Sequence, residues 1–580
     1  MNVLHTVSYI FRKYPLARLF VVCGIGVLIT VGTIVVGLSL KQKPYIEAVQ
    51  PPIGAPGDTV TLRGKNFGNH QDTSYVEIGG SRLTRKSYRS WSDTEIRLTL
   101  PENVQNGLVI VGTAAGRSQP LFFANKDDIP RPASADTHSA QPVIAYVAVS
   151  GGPTVFPTST APLRVKPGDV LTISGSNFGN TADNADVLFS ATRKERTDAT
   201  AGPRLATKTV SLPADKDAAD YLHWSNTEIR VSVPDGVSDG TLTVVTPHGA
   251  SDPVHVVVSS PVGTKQFVDG RTYLIEVNAD ISDVTTERSA VITLRMPRPR
   301  RTAMQPSVEL NETIPEPIIA DFQQTLIFQT PPIEKTAPGR MTFTARFIVP
   351  VFETLTTIQA DRIGSYDSMN SALYAATTHA DALIPATDAR IVSLAAEIVG
   401  RERNPYRKAR LLYNYLIDTY TIVNEVRGGD ISIVDLLTDT QGDAYDFALV
   451  YTALLRAAQI PAVPVSGVLV DRTIATRNHW WVEFYLPEFG WVPVDPALAA
   501  GLSYTAWTDI ENPREYYFGN LDAQHILFSR GWNDIKPASA NSVTVQLPRT
   551  YALQSIWEET TTATMRYNSL WNTPIVRGVY

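Results

Sequence analysis

The chain has 580 residues, a formal net charge of −6 at pH 7, 9% aromatic residues and one cysteine. This balance excludes collagen-like and disordered classes, and a mild negative charge without a basic stripe argues against nucleic acid as a partner. The lone Cys23 leaves the rest of the chain without disulfides or cysteine metal sites, and the scattered histidines show no zinc spacing, so no cofactor and no metal are implied.

The first predicted element is "LFVVCGIGVLITVGTIVVGLSL", residues 19–40, which carries no charge. As a helix it would span roughly 33 Å, enough for a hydrocarbon core of about 30 Å. Arg12, Lys13 and Arg18 precede it, so residues 1–18 are expected in the cytoplasm and everything after residue 43 outside it. An uncleaved signal anchor is expected. A cleaved signal usually has an apolar core of about 7–15 residues, shorter than this one. Cys23 reads as an apolar residue in lipid, because Phe20, Val21 and Val22 do not suit a lipoprotein signal.

Two repeats follow. "GDTVTLRGKNFGN" (57–69) returns as "GDVLTISGSNFGN" (168–180), and "WSDTEIRLTLP" (91–101) as "WSNTEIRVSVP" (224–234). The order is the same each time, so one unit occurs twice, and its alternating strands broken by Gly and Pro predict antiparallel sandwiches. The units, over 44–125 and 142–258, resemble immunoglobulin-like IPT/TIG domains. The residues that carry the resemblance are Pro-Gly-Asp at 56–58 and 167–169, Gly-x-Asn-Phe-Gly at 64–68 and 175–179, and Trp-Ser-x-Thr-Glu-Ile. The resemblance implies a spacer or protein-binding role. A Pro-, Ser- and Ala-rich linker, 126–141, separates the units. Extra sequence near 190–218 of the second, with Arg193, Lys194, Arg196 and Lys208, reads as a solvated insertion loop, with a partner-binding loop as the alternative.

Residues 263–360 are again strand-like and predict a further β-domain. From 388 the apolar period becomes helical: Asp388 suits the cap of one helix and Pro405 the first turn of the next, and residues 443–459 form a third. "AVPVSGVLV", "HWWVEFYLP" and "GWVPVDPAL" then read as strands. Helices followed by an antiparallel sheet make an α+β domain over 385–500, with a C-terminal extension over 501–580.

This α+β region resembles the transglutaminase-like family, relatives of papain-type thiol enzymes. The resemblance rests on Gly442-Asp443-Ala444-Tyr445-Asp446-Phe447-Ala448, on Leu454 to Ala457 and Gln459 to Ala462, on His479-Trp480-Trp481-Val482-Glu483, and on Gly490 to Pro496. "YYFGNLDAQHILFSRGW" (516–532) is similar to the tail that often follows this core in bacterial members. In the family a cysteine stands where Ala444 stands here. The resemblance implies His479 as the base and Asp495 as the group that orients it. A helix start and a protonated imidazole lower a thiol's pKa, so an Ala444→Cys thiol is expected to react faster than a free cysteine.

A methyl group is no nucleophile, and its loss in a comparable triad costs about a millionfold in turnover. Substitute nucleophiles would have to come from Thr438, Asp439 and Thr440 upstream or from Ser466 on the next strand; none holds the helix-start position. Trp480, Trp481 and Trp491 read as core. Three functions stay open: a membrane-anchored pseudoenzyme that binds a peptide or protein partner in the old cleft; an architectural protein of the envelope; and an active amidase or transglutaminase with an unrecognised nucleophile. A wide polar cleft at His479 would favour the first, and a cleft filled by aromatic side chains the second.

Overall fold

The repeated sequence blocks become repeated geometry in the computed structural model. It describes residues 43–125 and 141–580, apart from 103, 105–106, 183–184, 198–203, 216–219, 323, 382, 429–431, 532–543, 547–548, 554–556 and 563. The expected transmembrane segment 19–40 and nearly all of the linker lie outside the described residues. Among the described residues no helix is long and apolar enough to cross a membrane.

Each unit is a sandwich with its own apolar core. In the first, one sheet orders Tyr45–Gln50, Thr59–Lys65, Glu95–Thr99 and Tyr88–Trp91; in the second, Val143–Val149, Val170–Ser176, Glu228–Ser232 and Tyr221–Trp224 repeat that order. Asn66 and Asn177 both take the left-handed conformation, with φ of 62° and 63°. Gly64 and Gly175 are required for a second reason. A Cβ on either would lie 2.0 Å from the carbonyl oxygen of Tyr45 or Val143 across the ladder. Trp91 and Trp224 each donate an indole N–H to a carbonyl of the Asn-Phe-Gly turn of their own unit, Phe67 O at 3.0 Å and Phe178 O at 3.2 Å.

The sequence near 190–218 is not a solvated loop. Asp186–Thr197 and Arg204–Pro213 form a hairpin, and Arg193 and Lys194 pair in parallel with Phe267 and Val268 of the next domain. Arg193 is wholly buried, donates to the Ala303 carbonyl at 2.6 Å and lies 4.3 Å over the Phe267 ring. Its aliphatic stem and planar head suit such a junction better than a lysine would. The hairpin therefore ties the second sandwich to its neighbour through Arg193 and Lys194, while Lys208 on its outer strand stays exposed.

Two 23-residue strands, β1 (Gly263–Thr285) and β2 (Thr336–Ile358), form the spine of the third domain and pair over nearly their whole length. The C-terminal strands Arg566–Trp571 and Ile575–Val579 return to pair with β1, and Trp557–Thr560 joins a second sheet beside Ile292–Pro297. Residues 501–580 are thus not a separate extension: the strands Trp557–Thr560, Arg566–Trp571 and Ile575–Val579 complete sheets begun more than two hundred residues earlier.

The α+β domain contains α1 (Ala389–Val399), α2 (Pro405–Thr419) and α3 (Ala444–Ala457), with Asp388 and Asn404 as side-chain caps of the first two. Its sheet comprises β3 (Ala462–Val470), β4 (Thr476–Leu486), β5 (Gly490–Val494) and β6 (His525–Arg530), in the order β5-β4-β3-β6. A boundary at residue 500 would cut this sheet, because β6 pairs with β3. Helix α3 is buried along almost its full length, since it packs on both the other helices and the sheet. One continuous apolar core runs from Val262 to Val576 through this domain and the third β-domain.

Candidate active site

The start of α3 is built by a reciprocal cap. Asp443 Oδ1 accepts from the Asp446 amide at 3.0 Å, and Asp446 Oδ2 accepts from the Asp443 amide at 3.1 Å. Ala444 is therefore the first helical residue, and it is buried. Arg549 closes over this turn. It donates to Asp443 Oδ2 at 2.9 Å and to Asp446 Oδ1 at 2.7 Å, with its guanidinium 4.4 Å over the Tyr445 ring. The residues behind Arg549 are equally fixed: Tyr551, Ala552 and Leu553 are fully buried, and the Leu553 amide donates to Ser466 Oγ and Ser529 Oγ.

His479 projects from β4, and Asp495 follows β5 as the cap of a short helix, Pro496–Ala499, accepting from the Leu498 amide at 2.9 Å. His479 Nε2 lies 2.5 Å from Asp495 Oδ2, and both side chains are wholly buried. The other nitrogen, Nδ1, has no hydrogen-bond partner among the described residues. A carboxylate on one nitrogen with the second left open is the arrangement of a histidine base beside a nucleophile. Trp481 stacks on the imidazole at 6.2 Å, and Tyr445, next to Ala444, meets Trp480 edge-on at 5.4 Å. Burial lowers the His479 pKa more than Asp495 raises it, so the ring is neutral near pH 7. Burial would raise the Asp495 carboxyl, but His479 and His525 outweigh it and hold the group well below the usual carboxylate range.

His525 was not among the residues expected here. It enters from β6 with Nε2 3.1 Å from Asp495 Oδ2 and Nδ1 2.8 Å from Asp522 Oδ1. The one signal for it in the sequence was an aspartate three residues before a histidine in an apolar strand, which is too common a pattern to single out.

The other expected residues are accounted for differently. Ser466 Oγ is fully buried and bonded to Ser529 Oγ at 2.6 Å. Asp439 pairs with Arg427, and Thr440 ends its helix in the left-handed region. Trp480 and Trp481 are core, while Trp491 carries the Arg530 guanidinium at 4.0 Å. His479, Asp495 and His525 bring three donor atoms within 4.8 Å of one another. Ligand atoms about 2.0–2.1 Å from a tetrahedral ion sit roughly 3.3 Å apart. The 2.5 Å His479–Asp495 contact is too short for that spacing and fits a shared proton. Two cavities, of about 560 and 400 Å³, are lined by neither Ala444 nor His479.

A model of the transglutaminase-like superfamily matches residues 392–496, and a model of the IPT/TIG domain matches residues 44–124. Residues 392–496 form a transglutaminase-like domain. The match spans α1 to α3 and β3 to β5, with both His479 and Asp495 inside it. An uncharacterized protein of Haemophilus influenzae is 29% identical to the chain over 172 residues, 25% of this chain and 47% of that protein. A cyclomaltodextrin glucanotransferase of Paenibacillus macerans is 37% identical over 84 residues, 14% of this chain and 11% of the enzyme. The chain thus spans about half of the first relative and about a tenth of the second. Among solved structures, the periplasmic domain of TgpA from Pseudomonas aeruginosa aligns with 41% of this chain and 88% of its own at 15% identity. The TM-score is 0.23, too low to carry weight.

Proposed function

We propose that the chain is a membrane-anchored, extracytoplasmic scaffold of the cell envelope whose transglutaminase-like domain is catalytically silent. One observation carries this reading above a pseudoenzyme with a working cleft. The chain's own Arg549 is clamped to Asp443 and Asp446 at the start of α3, and Tyr551 to Leu553 behind it are buried against the sheet. The position of the nucleophile is an alanine, itself buried, and Tyr445 beside it is covered by the Arg549 guanidinium and the Trp480 ring. A peptide in the old cleft would have to displace a buried, hydrogen-bonded segment. A protein or peptide partner is then met elsewhere, and the 560 Å³ cavity between the second sandwich, the third β-domain and the transglutaminase-like domain is the best-formed place for it.

Catalytic silence is tested by assaying the purified full chain for amide hydrolysis and for transfer from glutamine-containing peptides to a primary amine. Rates at background are expected. Turnover that disappears on His479→Ala would overturn the reading and restore an unrecognised nucleophile. The anchoring is tested separately. Protease added to intact spheroplasts should digest the domains after residue 43 while the chain stays in the membrane fraction. Protected domains would reverse the orientation, and a released form would mean that the segment 19–40 is cleaved.

A further inference from the structure

The buried His525 lies between two carboxylates, and the proton count there is constrained. Both of its nitrogens face carboxylate oxygens, Nδ1 toward Asp522 and Nε2 toward Asp495. A neutral imidazole has one N–H, so its bare nitrogen would direct a lone pair at an ionised oxygen; only the imidazolium satisfies both contacts. Asp522 is ionised for an independent reason. Besides His525 it accepts from the Tyr517 hydroxyl at 2.9 Å, the Tyr504 hydroxyl at 3.3 Å and the Gln524 amide at 3.1 Å. Asp495 accepts from Leu498, His479 and His525.

We propose that His525 is the positioning residue of this site: as a fixed imidazolium between Asp495 and Asp522 it satisfies the charge of Asp495 and keeps His479 neutral, with its Nδ1 open. The two rings lie 5.5 Å apart and share one carboxylate oxygen, so a second positive charge on His479 would be repelled at close range in a buried site. The surroundings point the same way. Arg477 adds positive charge near His479, and the Trp481 ring packs against both imidazoles. Tyr273 directs its hydroxyl to the Ala523 carbonyl, and Glu353 lies close enough to Asp522 to feel its charge. Burial would lower the His525 pKa, yet Asp522 and Asp495 together push it up to about 9. This assignment does not depend on catalytic silence: a neutral His479 with an open nitrogen is also what a working base requires.

The test is the protonation of the two rings in the full-length protein, read by NMR of ¹⁵N-histidine-labelled material across pH 5–10, with the resonances assigned by single substitution. His525 should carry protons on both nitrogens at pH 7 and lose one only near or above pH 9. His479 should be neutral at pH 7, protonated on Nε2, with its midpoint below that of a free histidine. In His525→Gln, whose amide can still donate to Asp495, the His479 midpoint should rise by at least one pH unit, a tenfold gain in proton affinity. A neutral His525 at pH 7 in the unsubstituted chain overturns the proposal, even if the variant does not fold. So does an unmoved His479 midpoint in a folded His525→Gln protein.

Discussion

Asp495→Ala is expected to destabilise the transglutaminase-like domain by about 3–5 kcal/mol, the usual cost of removing one partner of a buried charged pair. Three donors lose their acceptor at once: His479 Nε2, His525 Nε2 and the Leu498 amide. The imidazolium of His525 then has only Asp522, in a place where water cannot replace the missing carboxylate. Asp495→Asn leaves one oxygen, which can serve the Leu498 amide on one side or the imidazoles on the other but not both, so it should be destabilising as well. The pH dependence has a definite sign. The folded-state pKa of His525 is raised, so its contribution is fully present below about 6.5, the unfolded value, and is lost as pH rises through about 9. Asp495 is depressed, so its contribution is present above the ordinary carboxylate range and is lost as pH falls through the folded value. The original chain should therefore lose stability between pH 6.5 and 9, and Asp495→Ala should flatten that limb. Denaturant melts of this domain at pH 6, 7.5 and 9 read both effects. A cost below about 1 kcal/mol would mean that the network is solvated and not the buried cluster described.

The second large effect is at Ala444. From sequence, a cysteine there is expected to be a fast nucleophile, because a helix start and an imidazolium both depress a thiol's pKa. The tertiary surroundings reverse that expectation. Ala444 is only 6% exposed, Asp443 and Asp446 set carboxylates around it, and the positive charge of the cluster sits on His525, not His479. In a Cys23→Ser background, Ala444→Cys is expected to react with iodoacetamide at pH 7 at least tenfold more slowly than free cysteine. Adding Arg549→Ala removes the clamp over the helix start and should recover about tenfold or more. Labelling faster than free cysteine in the folded single variant would return the site to catalytic geometry. It would also remove the main support for a filled cleft.

Much of this architecture was legible in the sequence because its causes are local. Asn66 and Asn177 mark the same left-handed turn in two sandwiches, and Gly64 and Gly175 mark the same close backbone approach. Asp443 before Ala444, with Asp446 three residues on, defines a helix start that needs nothing from elsewhere in the chain. Short, nearly continuous apolar runs within residues 462–494 define three strands. His479 and Asp495 were marked by the resemblance to the transglutaminase-like family, and the fold brings the two side chains together.

What the sequence by itself determined, then, is a pair of β-sandwiches, a further β-domain and a transglutaminase-like domain. Only the tertiary structure decided which distant side chains meet at the helix start and around Asp495. Arg549 reaches Asp443 across 106 residues and His525 reaches Asp495 across 30. The hairpin that was expected in solvent buries Arg193 against a strand some seventy residues away. Contacts at such separations leave no period or cap in the sequence. They arise because burying a strand edge, a guanidinium or an imidazole requires whichever complementary group the folded chain brings within hydrogen-bond reach.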